Sequence, residues 1–184
     1  MTVDLGTGDG HFVLDRAATR PDELVLGVDA SHAAMAEASR RASRPVRRGG
    51  LPNARFIVAA AESLPAELDG LAGLVTVHFP WGSLLRGALG ADPDIASRIA
   101  GLVARGGRLR LLLSAAAGDA RHGVRTLDPE LIASAYCRHG LVAAEIRPAT
   151  LGDARAARSS WGCRLLASRN GDRQAWLIQL DRRR

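Results

Sequence analysis

Strand-like and helical apolar patterns alternate along the chain. Val3 and Leu5 flank Asp4 in a short run that leads straight into Gly6-Thr7-Gly8-Asp9-Gly10, a strand ending in a glycine-rich turn. A helical pattern follows over 11–20 and stops near Pro21. Residues 24–28 form an apolar run that predicts a buried strand ending at Asp29. A second helix is expected over 31–44, with Ala33, Ala34, Met35 and Ala38 on its apolar face and Pro45 at its end. A loop over 47–53 precedes a third strand at 55–59, and 60–65 turn out of it. A fourth strand, 74–79, is closed by Pro80-Trp81-Gly82. Residues 83–89 are helix-like, and Asp92 can cap a helix that runs to about Ala104. Gly106-Gly107 leads into a fifth strand at 109–113, and 114–126 read as a loop. Asp128 caps a helix to His139, which Gly140 ends. A sixth strand over 141–146, a largely helical stretch over 150–168 and a last strand over 173–180 complete the pattern. The alternation predicts an α/β fold, a doubly wound, mostly parallel sheet of seven strands in a single domain. At 184 residues the chain is long enough for one substantial core.

In such a sheet the ligand lies outside the carboxyl ends of the strands. The unusual residues fall on that rim: Asp4 and the glycine turn after strand one, Asp29 after two, Ala61-Glu62 after three, Pro80-Trp81 after four. A strand that ends in a glycine-rich turn and opens a helix is a nucleotide-binding arrangement. Gly6 and Gly8 let a ligand approach the backbone without meeting a Cβ. The spacing is G-x-G-x-G, with His11 where a dinucleotide fingerprint has its third glycine. Asp4 and Asp9 would repel a pyrophosphate and suit a ligand with hydroxyls and a cationic end. S-adenosylmethionine (SAM) has an ammonium, a sulfonium and a ribose diol. Asp29 stands about 20 residues beyond the turn, where an acid meets the ribose hydroxyls of a βαβ site. A helix cap is the other reading of Asp29, but Ser31 caps equally well. Seven strands is also the count of the Rossmann-like class I SAM-dependent methyltransferase fold.

The net charge is +6, and every basic residue apart from histidine is arginine. A basic balance favours a polyanionic partner. Arginine without lysine also reflects a GC-rich genome, so Arg40-Arg41, Arg44, Arg47-Arg48 and 182–184 read equally as a solvated surface. No apolar run is long enough for a membrane span and the N-terminus has no signal pattern, so a soluble cytoplasmic protein is expected. Cys137 and Cys163 are far apart, and neither a disulfide framework nor a metal site is expected.

Methyl transfer is an in-line displacement that needs mainly alignment and desolvation. Enzymes that methylate exocyclic amines commonly place D/N-P-P-Y/F/W at the end of strand four. Here that place reads His78-Phe79-Pro80-Trp81-Gly82, with one proline and no Asp or Asn. The departure argues for an acceptor with a free lone pair, such as a ring nitrogen, and no general base is then required. Of three tryptophans, Trp176 lies in the apolar run of the last strand and reads as core. Trp81 is on the rim and Trp161 lies in the connection before the last strand. They could sandwich a flipped base, or each could pack at a helix start. Glu62 is placed for the adenine ring of SAM, or as an acid favoured at a helix N-terminus.

Several motifs coincide: Asp4-Leu5-Gly6-Thr7-Gly8-Asp9-Gly10, Gly49-Gly50-Leu51-Pro52-Asn53, Ala61-Glu62-Ser63-Leu64-Pro65, Pro80-Trp81-Gly82-Ser83-Leu84-Leu85-Arg86-Gly87 and Ser159-Ser160-Trp161. In this order they resemble the aminoglycoside-resistance 16S ribosomal RNA methyltransferases that modify adenine-1408 at N1 (Kam/Npm type), from near Val3 to about Arg169. The resemblance implies SAM as donor, S-adenosylhomocysteine as product and the decoding site of the 30S subunit as substrate. It implies that Asp4, Gly6, Thr7, Gly8, Asp9, Asp29, Ala30, Ala61, Glu62 and Leu64 bind the cofactor. It implies that Trp81 and Trp161 stack on the flipped base, with Ser83 a polar neighbour, and that Ser160, Arg164 and Arg169 contact RNA. Family members carry an N-terminal segment with a β-hairpin before the glycine turn, and here only Thr2 to Leu5 precede it. One methyltransferase domain over 1–184 without that extension, working as a monomer with no obligate protein partner, is therefore expected. A small-molecule SAM-dependent methyltransferase and an inactive SAM- or RNA-binding module remain as alternatives.

Overall fold

In the computed structural model, which describes residues 1–114, 127–167 and 175–183, the apolar runs become one seven-stranded sheet. The strands are β1 (Thr2–Leu5), β2 (Val25–Asp29), β3 (Ala54–Val58), β4 (Ala72–His78), β5 (Val103–Ser114), β6 (Leu141–Pro148) and β7 (Ala175–Arg182). They lie in the order β3-β2-β1-β4-β5-β7-β6. Pairings from β3 across to β5 are parallel, and β7 runs antiparallel to both β5 and β6. β1 therefore lies where the strand order reverses, and a crevice opens there beyond the strand ends. Every residue of β1 is buried, as expected of a parallel strand covered on both faces.

The helices are α1 (His11–Thr19), α2 (His32–Ala42), α3 (Gly82–Ala88), α4 (Pro93–Gly101), α5 (Pro129–Cys137), α6 (Leu151–Ala156) and α7 (Ser160–Ala167). Leu85, Ile99 and Tyr136 of α3, α4 and α5 pack on Val3, Leu5, Val75 and Leu111 as the main core. On the opposite face Val13, Leu14, Ala38 and Ala42 of α1 and α2 pack on Val25 and Ala54. Starts follow the caps read from sequence: Ser31 accepts from Ala34 N, Asp92 from Ile95 N, and Asp128 from Glu130 N and Leu131 N. Both cysteines are free, and no helix among the described residues is long and apolar enough to cross a membrane.

Four local expectations differ. Ala33 and Ala34 are exposed, and α2 buries Met35, Ala38 and Ala42 instead, a face spaced at three and four residues. α4 ends at Gly101 rather than near Ala104, because Leu102 caps it and Val103 already pairs with Ala72 in the sheet. β5 begins six residues before the expected strand, at Val103, and crosses Gly106-Gly107. The β4–β5 register shifts between Ala72 and Leu74, and a Cβ on Gly107 would stand 2.8 Å from Ala72 O, so glycine makes the irregularity possible. The stretch expected as largely helical splits into α6 and α7 at Arg158, whose φ of 52° ends the first helix. The expected loop at 115–126 and residues 173 and 174 of the last strand lie outside the described residues.

Asp153 anchors α6 to the antiparallel edge of the sheet. Its buried carboxylate accepts from Arg147 Nη1 and Nη2 of β6 at 2.6 and 2.8 Å, and from Arg110 Nη2 of β5 at 3.2 Å. It also accepts from Thr150 N and Oγ1, which closes a capping box at the start of α6. The Arg147 guanidinium, above all, holds the Asp153 carboxyl well below the usual carboxylate range. Because the folded state depresses this group, its stabilisation is complete above about pH 4 and is lost as pH falls below that. Asp153→Ala is expected to cost about 3 kcal/mol at pH 7, the scale for breaking a buried ion pair. Thermal unfolding of wild type and variant at pH 7 and pH 3 checks this. The gap should narrow at the lower pH, and a constant gap would remove charge pairing as its cause.

Candidate active site

The glycine turn folds back onto β2. Gly6 N and Thr7 N both donate to Val28 O, at 2.8 and 3.1 Å, and Gly8 N donates to Asp29 Oδ2 at 2.9 Å. Gly6 takes a φ of 69°, and a Cβ there would also stand 2.6 Å from Leu84 Cδ2 of α3. The other Asp29 oxygen accepts from Ser31 N at 2.8 Å. Both oxygens are thus oriented by backbone, and each keeps a lone pair for a ligand hydroxyl. Ser31, not Asp29, accepts from the α2 amide, which leaves Asp29 for another task.

These groups border a cavity of about 430 Å³ at the reversal point of the sheet. Leu5, Val28, Ala59, Ala60 and Leu64 give it an apolar lining, and Phe79, Pro80, Trp81 and Ser83 edge it on the β4 side. Among the described lining residues Asp29 is the only ionisable side chain. An apolar slot with one oriented carboxylate has the chemistry to hold a nucleoside, with alanine and leucine available to a ring and the acid to a diol.

Eight of the residues picked from sequence line this cavity: Gly6, Gly8, Asp29, Ala30, Ala61, Leu64, Trp81 and Ser83. Asp4, Thr7, Asp9 and Glu62 stand behind or beside it. Asp4 is buried, accepts from Thr76 Oγ1 at 2.6 Å and has His78 Nδ1 3.3 Å from the same oxygen. Thr7 is buried in the turn, and Asp9 is exposed, accepting from His11 N. Glu62 is exposed in the turn after β3. The neighbouring Ser83 side chain, at the start of α3, holds its carboxyl below the ordinary value.

The two tryptophans differ in support. Trp81 precedes α3 and is 84% exposed, held by little but its backbone. Trp161, in the first turn of α7, is 41% exposed and meets the Phe79 ring edge-on, with centroids 5.4 Å apart. Phe79 itself has a φ of 48° directly before Pro80, a conformation that costs a bulky residue about 1–3 kcal/mol. Strain at a rim residue marks a constrained site, and nothing in the apolar pattern announces it. Ser160 and Arg164 are exposed on α7, whereas Arg169 lies outside the described residues. Trp176 is half-buried against the main core.

Comparison with known proteins agrees with this geometry. The sequence profile of the 16S rRNA (adenine(1408)-N(1))-methyltransferase family matches residues 1–180. The Streptoalloteichus tenebrarius protein of that name is 33% identical over 178 residues, covering 92% of this chain and 82% of the relative. The solved KamB 16S rRNA methyltransferase superposes with a TM-score of 0.85 at 29% identity, over 100% of this chain and 87% of that one. A tryptophan-to-alanine mutant of the Catenulisporales acidiphilia 16S rRNA (adenine(1408)-N(1))-methyltransferase, solved with cosubstrate SAM, superposes at 0.79 and 30% identity, over 100% and 85%.

Gly6→Ala tests the turn. The positive φ costs a Cβ about 1–2 kcal/mol before any clash with Leu84. The variant is expected to melt several degrees lower, and a melting temperature equal to wild type would mean the turn can be rebuilt without the glycine.

Proposed function

The chain belongs to the 16S rRNA (adenine(1408)-N(1))-methyltransferase family, and we propose that it transfers the methyl group of SAM to N1 of adenine-1408 in the 30S subunit. The product is S-adenosylhomocysteine, and the modification confers aminoglycoside resistance, as the names of its relatives imply. One observation carries the reading: a nucleoside-sized cavity, with a single carboxylate among its described lining residues, has exposed Trp81 on its β4 side and exposed Trp161 against the lining residue Phe79.

SAM supplies an electrophilic methyl group on a sulfonium. Asp29 orients the ribose through the two oxygens that Gly8 and Ser31 already fix. Ala61 and Leu64 lie against the adenine, with Ala30 beside the ribose, and the Gly6–Gly8 backbone faces the amino-acid end. Asp4, Thr7, Asp9 and Glu62 act from behind or beside this lining: Asp4 ties β1 to β4 through Thr76, and Asp9 accepts from His11 N at the start of α1. Trp81 and Trp161 stack on the flipped base, which offsets its unstacking. Among the described lining residues their side of the cavity has no acid or base, with Asp29 engaged elsewhere, so the reading takes an acceptor that brings its own lone pair. Adenine N1 has one once the base is unpaired, and the methylated ring keeps its positive charge.

Ser160 and Arg164 beside Trp161, with Arg169, supply phosphate contacts to the flipped nucleotide. Exposed Arg41, Arg44, Arg47 and Arg48 add a sequence-independent footing on RNA. The reading takes the enzyme as a monomer that works in the cytoplasm, where 30S subunits are.

Methyl transfer from labelled SAM to 30S subunits, with reverse transcription across the decoding site, tests the function; a stop at adenine-1408 is expected. Trp81→Ala and Trp161→Ala should each lower methylation about 10- to 100-fold, the equivalent of stacking energies of about 1–3 kcal/mol, with SAM affinity unchanged. Asp29→Ala should instead weaken SAM binding about tenfold or more, measured by calorimetry. Incorporation elsewhere in the RNA would overturn adenine-1408 as the target, and full activity in both tryptophan variants would overturn the base-clamp reading.

A further inference from the structure

Phe79 touches both halves of the site. Its amide donates to Leu112 O at 2.7 Å, which fixes the end of β4 against β5. Its side chain borders the cavity and continues to α7, where the ring meets Trp161 edge-on at an interplanar angle of 64°. In an extended strand residues 79 and 81 would share a face. The left-handed backbone at Phe79 breaks that alternation. Phe79 turns inward against Leu112, Ala157 and Leu177, while Trp81 stands in solvent.

The ring enters α7 where a side chain is missing. A Cβ on Gly162 would stand 2.2 Å from Phe79 Cε2 and 2.8 Å from Cδ2 and Cζ. The Gly162 backbone is ordinary helix, with no positive φ to demand glycine, and glycine is a poor helix former. What the glycine provides is the notch for the ring. Trp161 is the preceding residue in that helix, so the depth of the ring in the notch sets the position of the indole.

We propose that Phe79 is a positioning residue for methyl transfer: its ring, seated at Gly162, acts as the spacer that places Trp161 relative to Trp81. The proposal rests on the base-clamp reading of the two tryptophans. A misplacement of about 1 Å is enough to cost about 100-fold in rate, so a rigid spacer matters more here than added contact area.

The test uses Gly162→Ala, Phe79→Leu and the double variant, with kcat and KM measured on 30S subunits and SAM affinity measured separately. Gly162→Ala should lower kcat about 10- to 100-fold with SAM affinity unchanged, which also reports that the protein is folded. Phe79→Leu, which removes bulk and adds none, should lower kcat as well. In the double variant the smaller side chain makes room for the new methyl, and kcat should exceed that of Gly162→Ala alone. Wild-type kcat in either single variant, or a double variant that is the product of the two losses, would overturn the proposal.

A second readout needs no substrate. With Trp81→Phe and Trp176→Phe as background, Trp161 is the sole indole. Gly162→Ala should raise its quenching by acrylamide, and adding Phe79→Leu should reverse this. Unchanged quenching in both overturns the proposal whatever the activity. If wild type leaves adenine-1408 unmethylated while quenching responds, the clamp reading fails and the seat stands.

Discussion

Backbone amides leaving β1 must find partners, and the end of β2 supplies them. Gly6 and Thr7 donate to Val28 O, and Gly8 donates to the Asp29 side chain. Amides buried without partners would be costly, so the turn closes over β2 and stays there. Much follows from that closure. It orients Asp29, defines one wall of the cavity, and delivers Gly10 to the start of α1. Leu84 of α3 fills the space left by the absent Gly6 side chain, so the same turn also sets how near the β4 side can come.

The two sides of the cavity are built by different means. The Asp29 side is local: short turns, backbone hydrogen bonds and glycines within the first two strands of the chain. The tryptophan side is assembled from distant parts. Trp81 follows β4, whereas Trp161 arrives on α7, in the connection between the antiparallel strands β6 and β7. Asp153 fixes α6 to that edge through Arg147 and Arg110. Arg158, at the bend into α7, pairs with Asp15 of α1. Phe79 then joins α7 to the end of β4. The Trp161 position therefore depends on charge pairs and one aromatic contact, and the Asp29 position on the main chain.

Charge is distributed to match. The chain carries a net +6, yet the cavity holds one carboxylate and no arginine among its described lining residues. Cations exposed on the outside favour a polyanion without competing with the cofactor's own positive charge within. An apolar slot also strengthens what little electrostatics it contains, because fields are less screened there. An acceptor that needs no deprotonation suits such a site.

The sequence by itself determined the sheet, the Asp29 side and the family. Periodicity placed the seven strands, since a buried parallel strand must be apolar. Glycine spacing and the Asp29 offset exposed the Asp29 wall of the cavity because its contacts are local. Caps at Ser31, Asp92 and Asp128 were legible for the same reason. Asp4 and Glu62 were visible as acids on the rim, but only packing decided that Asp4 turns to Thr76 and His78 and Glu62 to Ser83. Pairing across the sheet carried β5 back to Val103, where the apolar pattern suited a helix end equally well. The bend at Arg158 and the left-handed Phe79 leave no periodic trace, because each is a single residue held by remote partners. The Phe79–Trp161 contact is of that kind: residues 82 apart in the chain meet only in the tertiary fold.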